Sequence, residues 1–270
     1  NWEDAVIKYD QGVHLNWPST YTFGRWWLGE DRGLKANNNY SKQIKDLKDF
    51  FEKSKANMNI ENSMNLKSNA MKTVLDGETT VYLYADDEKE IVDGVTFLKS
   101  FGIDKIVIVG ATESKNQLNF IKVNNIPVVV KQPYRFPQSV DSDPMETFAI
   151  AKKMLDAGIL VSIDPTGTAS ARVSIRNLPF YAGSFSSFGI DKEVALSMIT
   201  LNPAKILGID NEFGTLELGK SATLFISKGD ALDIISNNVT HAFISGRNLS
   251  LETHQTRLWR RYSNKYSDSQ

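Results

Sequence analysis

The apolar positions of the chain change their period several times, and those changes divide it. Over residues 41–56, Ile44, Leu47 and Phe51 recur at three- and four-residue spacing while Asp49 and Lys53 stand four apart, which predicts an amphipathic helix. From residue 79 onward, short apolar runs alternate with helical patterns. The runs at 81–84, 105–109, 126–130 and 159–163 read as strands that are apolar on both faces. Between them lie a helix carrying Ile91, Val95 and Leu98 and stopped by Gly102, a second around 114–123, and a third over 146–157 ended by Gly158. Asp86 and Asp87 offer the first of these a cap. Such alternation is the mark of βαβ units, a parallel sheet covered by helices, as in a barrel or a doubly wound sheet.

The flanks are less regular. Residues 1–40 read as a loop-like stretch with aromatics at Trp17, Tyr21, Phe23, Trp26 and Trp27, which implies packing against another surface. Residues 57–78 are polar and partly helical. After residue 165 a Thr-, Ser- and Gly-rich loop leads to a helix at 192–200. Asn202 and Pro203 then read as cap and first residue of a short helix closed by Gly208. Runs at 222–227 and 239–245 predict a small antiparallel sheet, and 252–266 a basic helix anchored by Leu258 and Trp259. The expected organisation is an irregular and helical segment at 1–78, parallel strands with helices at 79–210, a small β domain at 211–250 and a terminal helix at 251–270.

Composition narrows the function classes. With 270 residues, 41% hydrophobic and 23% charged, the chain is of globular type. A net charge of -1 supplies no field to draw in nucleic acid or an anionic membrane, so neither is an expected partner. No apolar run approaches the ~18 residues of a spanning helix. The absence of cysteine removes disulfides, thiolate nucleophiles and Cys-held zinc, and is compatible with a soluble periplasmic or exported bacterial protein. The start at Asn1, without Met or a signal-peptide pattern, reads as processed or truncated.

Two motifs fail on context. Residues 214–221 match G-x-x-x-x-G-K-[ST], but a phosphate loop needs a strand before it and a helix after it, and here a strand follows. Turn chemistry is the better reading. The three histidines are placed in the aromatic loop (His14), on a strand (His241) and on the terminal helix (His254). No two share H-x-H or i,i+4 spacing, so no local metal clip exists and each reads as a packing or surface residue. No G-x-S-x-G elbow marks a serine hydrolase.

The polar groups that remain fall at the carboxyl ends of the parallel strands, where a barrel builds its site. They are Tyr84, Asp86, Glu113, Lys131 and Asp164. Asp86 also reads as a helix cap and Glu113 as a first-turn acid favoured by the helix dipole. Asp164, followed by Pro165, is the catalytic candidate, although strand-end aspartates also satisfy loop amides. Arg176 in the next loop is a candidate carboxylate clamp or a piece of loop scaffold. Tyr84, Lys131 and Arg176 are thus the substrate-binding candidates.

Three blocks carry a resemblance: residues 196–208, 213–225 and 239–247 are similar, in order and spacing, to the closing section of the amidohydrolase superfamily. The nearest branch is the imidazolonepropionase-related one, and the weaker pattern from Val81 to Asp164 extends the match over about 79–250. The resemblance implies a TIM-type (β/α)8 barrel with a small β-sandwich, and one or two divalent metals, commonly zinc, that activate water against a C–N bond of a cyclic amide or imide. It also implies an H-x-H pair after strand 1, a carboxylated Lys or a Glu after strand 4, a His after each of strands 5 and 6, and an Asp after strand 8. With the four runs at positions 5 to 8, Tyr84 stands in place of one His and Gly110-Ala111 in place of the other. Asp164 alone falls on a metal-ligand position. Catalytic zinc sites use about three protein ligands, so this set does not make one.

The expectation is therefore the C-terminal half of an amidohydrolase-type barrel, completed by the N-terminal half of the same protein or by a partner chain, and hydrolysing a non-peptide C–N bond of a small-molecule substrate. The alternatives are a catalytically inactive homologue that binds a small ligand through Tyr84, Lys131, Asp164 and Arg176, and an accessory half that completes a partner's barrel.

Overall fold

The structure, a computed structural model, describes residues 5–24, 26–29, 33–58, 65–137, 142–166 and 171–267. Chain order begins with strand β1 (Gly12–Asn16), the hairpin strands β2 (Tyr21–Phe23) and β3 (Leu34–Ala36), and helices α1 (Tyr40–Asn57), α2 (Leu66–Ala70) and α3 (Lys72–Leu75). The alternating section follows as β4 (Thr80–Ala85), α4 (Glu88–Ser100), β5 (Ile106–Gly110), α5 (Leu118–Val123), β6 (Val128–Lys131), α6 (Glu146–Asp156) and β7 (Val161–Asp164). Then come α7 (Ala171–Ser174), α8 (Leu178–Ser186), α9 (Lys192–Ser197) and α10 (Leu201–Leu207). Strands β8 (Leu224–Ser227), β9 (Val239–Ile244) and β10 (Arg247–Asn248), with helix α11 (His254–Ser267), end the chain.

The main sheet has five strands in the order β1-β4-β5-β6-β7, all parallel. One face carries Val81, Leu83, Ile108, Val128, Val130, Val161 and Ile163, packed with Ile91, Val95 and Leu98 of α4, Ile150 and Met154 of α6 and Phe185 of α8. The other carries a smaller apolar cluster of Tyr82, Val107 and Val109, with Tyr84, Val129 and Ile206 against it. Both faces are apolar because both are covered, as the unbroken apolar runs require.

Strand β1 corrects the loop expected over residues 1–40, and the four expected strands become five. Its alternation is legible afterwards: Val13 and Leu15 pack on the core, whereas Gly12, His14 and Asn16 share the opposite face. Gly12 is required there, since a Cβ would enter the Tyr82 ring. Among the described residues, neither β1 nor β7 pairs with a further strand on its outer edge.

Helix α1 docks through Phe51 on Phe97 and Phe101, with ring centroids 5.1 and 5.2 Å away. At α4 the cap is Asp87, whose carboxylate accepts from Lys89 N at 2.9 Å, and Glu90 completes a capping box. Asn202 is not the cap of α10, which starts at Leu201. Its buried side chain instead donates to Val161 O at 2.7 Å, tying α10 to β7. Gly208 closes that helix in the left-handed region at φ 64°.

The small sheet β10-β9-β8 is antiparallel. The phosphate-loop lookalike leads into β8 as a turn, with the Lys220 ammonium used on Thr215 Oγ1 at 2.6 Å and the Glu217 carboxylate at 3.2 Å. On α11 the expected anchor Trp259 is 70% exposed, leaving Leu258 alone partly covered. No helix among the described residues is long and apolar enough to cross a membrane.

Candidate functional site

The parallel order brings the carboxyl ends of all five strands to one side. A cavity of about 360 Å³ opens there, lined by Asn16, Tyr84, Asp86, Val109 and Lys131 from the sheet and by Tyr21, Phe23 and Leu34 from the β2–β3 hairpin.

Asp86 is the hinge of the site. Its Oδ2 pairs with Lys131 Nζ, its Oδ1 accepts from Thr112 Oγ1 at 3.0 Å, and both charged side chains are more than three-quarters buried. So Asp86 is a tertiary ion-pair partner, and the neighbouring Asp87 does the capping. Gly110 allows the arrangement: at φ 116°, a Cβ would lie 2.6 Å from Asp86 Oδ1 and 2.9 Å from Ala85 O. Gly110→Ala is therefore expected to cost about 1–3 kcal/mol through strain and overpacking. A urea midpoint equal to that of the parent would contradict this account of Gly110.

Tyr84 belongs to a second group. Its hydroxyl lies 2.9 Å from His14 Nδ1, and the His14 ring stacks on Tyr82 at 5.0 Å and 15°. Burial, and then the Asp164 charge, push the Tyr84 phenol up; burial, and then Tyr84, do the same for Tyr82. Both stay protonated in neutral solution, and with the His14 proton on Nδ1 the Tyr84 hydroxyl accepts from it and keeps its own proton to donate. A folded value raised above the unfolded one favours the protonated chain. Its contribution is complete below the ordinary phenol value of about 10 and is lost as pH rises through the folded value. Denaturation midpoints should hold up to about pH 10 and fall above it, less steeply in Tyr84→Phe; identical slopes in the two proteins would refute the assignment.

Glu90 organises the entrance. Buried at the start of α4, it accepts on Oε1 from Ser19 Oγ at 2.9 Å, Thr20 N at 2.8 Å and Thr20 Oγ1 at 3.3 Å. Its Oε2 takes the Asp86 and Asp87 amides at 3.3 and 3.4 Å. One carboxylate thereby holds the base of the hairpin to the backbone of the ion-paired aspartate.

Of the expected site residues, Tyr84 and Lys131 line the cavity, and Asp164 is the register partner of Lys131 on β7. Asp164 Oδ1 accepts from Thr166 N at 2.7 Å and from the Thr166 hydroxyl. Arg176 is not brought to the cavity. It sits exposed on the turn Ile175–Asn177 entering α8, whose Tyr181, Ala182 and Phe185 take the core side. Glu113 lies in a turn ahead of α5 rather than in its first turn, and its amide donates to Asp86 O at 3.0 Å. His14, which the expected loop hid, is a site neighbour. So is half-buried Arg135, whose guanidinium is lowered by burial while Asp86 and Glu113 act in the opposite direction.

The described residues do not fit the zinc that the resemblance implies. Among them no three His, Cys, Asp or Glu side chains converge. Asp86 is engaged by Lys131, His14 Nδ1 by the Tyr84 hydroxyl, and β5 ends at Gly110 with Ala111 after it, neither of which brings a ligand.

Residues 122–249 match the amidohydrolase family. The match covers just under half of the chain. It supplies Lys131 and Asp164, the ends of β6 and β7, and runs on through β8, β9 and β10. Tyr84 and Asp86 come from just ahead of it. Among solved structures, the chain is similar to an amidohydrolase from Thermotoga maritima MSB8, at 22% identity and TM-score 0.74 over 92% of this chain and 64% of that one. It is also similar to a prolidase complexed with N-methylphosphonate-L-proline, at 14% identity and TM-score 0.51 over 68% of this chain and 48% of that one. At such identities the likeness is one of fold. This chain spans 64% of the length of the Thermotoga structure. No curated protein matches the sequence.

Proposed function

We propose that the complete protein closes an amidohydrolase-type barrel and hydrolyses a non-peptide C–N bond of a small molecule, such as a cyclic amide, with the strand ends described above as one side of its site. The family match, the sequential parallel sheet whose two edges are unpaired among the described residues, and the larger span of the Thermotoga structure support this reading. The observation that carries it is Asp164. It ends β7 in register with Lys131, its Oδ1 is fixed by Thr166, and its charge acts on Tyr84.

In that arrangement the Asp164 carboxylate takes a proton from water as the oxygen adds to the amide carbon. Tyr84, kept protonated, donates to the carbonyl oxygen as negative charge develops on it. The C–N bond then breaks, and the nitrogen leaves with the proton held by Asp164. The Lys131–Asp86 pair orients the amide. Metal ligation is not assigned to these residues.

The test is turnover of hydantoin and dihydrouracil by the complete protein, followed as ring opening, with elemental analysis of the same sample. Ring opening that disappears in Asp164→Asn is the expected result. A second reading, binding without turnover, is favoured by the ion pair that occupies Asp86 and by the lack of a ligand cluster among the described residues. Saturable binding with no ring opening would establish that reading and overturn the first.

A further inference from the structure

The hairpin over the cavity has a two-residue period with a chemical consequence. In β2 and β3, Tyr21 pairs with Ala36, Thr22 with Lys35 and Phe23 with Leu34. Cross-strand partners share a face, so Tyr21, Phe23, Leu34 and Ala36 lie on one side and Thr22 and Lys35 on the other. The apolar side is turned inward: Tyr21, Phe23 and Leu34 line the cavity, yet they remain 46%, 72% and 43% exposed. Large apolar side chains held open to solvent over a site are a surface awaiting a partner.

A lone two-stranded hairpin is marginal in water, so its placement needs anchors. Two exist. Glu90 binds Ser19 and Thr20 at its base, and Asn37 spans from the far strand, donating Nδ2 to Ser19 O at 2.7 Å and its backbone N–H to Thr20 O at 2.9 Å. The apolar wall is therefore fixed relative to Asp86.

The opposite wall sets the charge of what fits. Among the described residues, the cavity lining holds the carboxylates of Asp86, Asp87 and Glu90 against the ammonium of Lys131, which Asp86 already neutralises, while the charge of the neighbouring Arg135 acts on Asp86 and Glu113. Among the described lining residues a ligand carboxylate would meet net negative charge and no unpaired cation, whereas a neutral amide finds a donor in Tyr84 and a donor and acceptor in Asn16.

We propose that the ligand of this site is a neutral amide bearing an aromatic or branched apolar group, the group packing on Phe23 and Leu34 and the amide meeting Tyr84 and the Lys131–Asp86 pair. This deepens the proposed hydrolytic reading and rests on it for the reaction, but it concerns recognition and is tested by binding.

Three probes are used on the complete protein carrying Asp164→Asn: 5-benzylhydantoin, hydantoin and hydantoin-5-acetate. Calorimetry should show 5-benzylhydantoin binding about tenfold or more tighter than either of the others, the scale of apolar-pocket discrimination. Phe23→Ala and Leu34→Ala should each bring the benzyl-to-hydantoin ratio toward one. Thr22→Ala and Lys35→Ala, on the other face, should preserve it. Thermal melting confirms that each variant is folded. The proposal is overturned if hydantoin-5-acetate binds tightest, if the inward-facing variants leave the ratio unchanged, or if none of the probes binds. Selective binding without ring opening in the parent protein would instead sink the hydrolytic reading and leave this one standing.

Discussion

In the complete protein, Asp164→Asn is expected to lower kcat for ring opening by about two to four orders of magnitude, the usual worth of a positioned general base. The substitution is nearly isosteric. An asparagine Oδ1 still accepts from the Thr166 amide and hydroxyl, so the turn after β7 is preserved. The strand itself is fixed from behind, by Asn202 on Val161 O at 2.7 Å and by Ser162 Oγ on Met198 O at 3.0 Å. What disappears is the capacity to take a proton and the charge that adds to burial in raising the Tyr84 phenol. KM should therefore move far less than kcat, and the melting temperature hardly at all. A kcat within a few-fold of the parent, in a folded variant, would remove Asp164 from the chemistry and return the site to ligand binding alone.

The central strands were legible because burial on both faces writes a continuous apolar run, and β4 to β7 each carry one. Strand β1 was hidden for the opposite reason. Its Gly12, His14 and Asn16 face a part-open surface, so only Val13 and Leu15 carry the signal, too few to separate a strand from a loop. His14 was lost with it. Adjacent aspartates posed a different problem. Sequence shows that Asp86 and Asp87 precede a helix, but which of them caps it is decided by Lys131, 45 residues later, through the register of β4, β5 and β6. Asn202 was misread for the same kind of reason: a residue with cap chemistry has been taken up by a backbone carbonyl on another element. Arg176 lay beyond such reasoning, because nothing local fixes the direction of a loop side chain.

Glu90→Ala should be the most damaging single change to the architecture of the site, at about 2–4 kcal/mol, because it strands several part-buried donors at once. Five hydrogen bonds end on that carboxylate, two of them from amides at the start of α4 and one from the Thr20 backbone. Water cannot replace them cheaply, since Glu90 is only 6% exposed. Glu90→Gln separates the two halves of the role. Its oxygen can still serve Ser19 and Thr20, but its NH2 group must then face the Asp86 and Asp87 amides, donor against donor, for an expected loss of about 1–2 kcal/mol. The nearby chain from Trp17 Nε1 to the Tyr40 hydroxyl and on to Asp93, at 2.9 and 2.8 Å, does not reach these donors and cannot compensate. Equilibrium unfolding should rank the parent above Gln and Gln above Ala. Amide exchange should accelerate at Thr20, Asp86 and Asp87 together in Ala, but mainly at the two aspartates in Gln. Equal stability of all three proteins, or faster exchange at Thr20 alone, would mean that the hairpin and the ion-paired strand end are held by something other than this carboxylate.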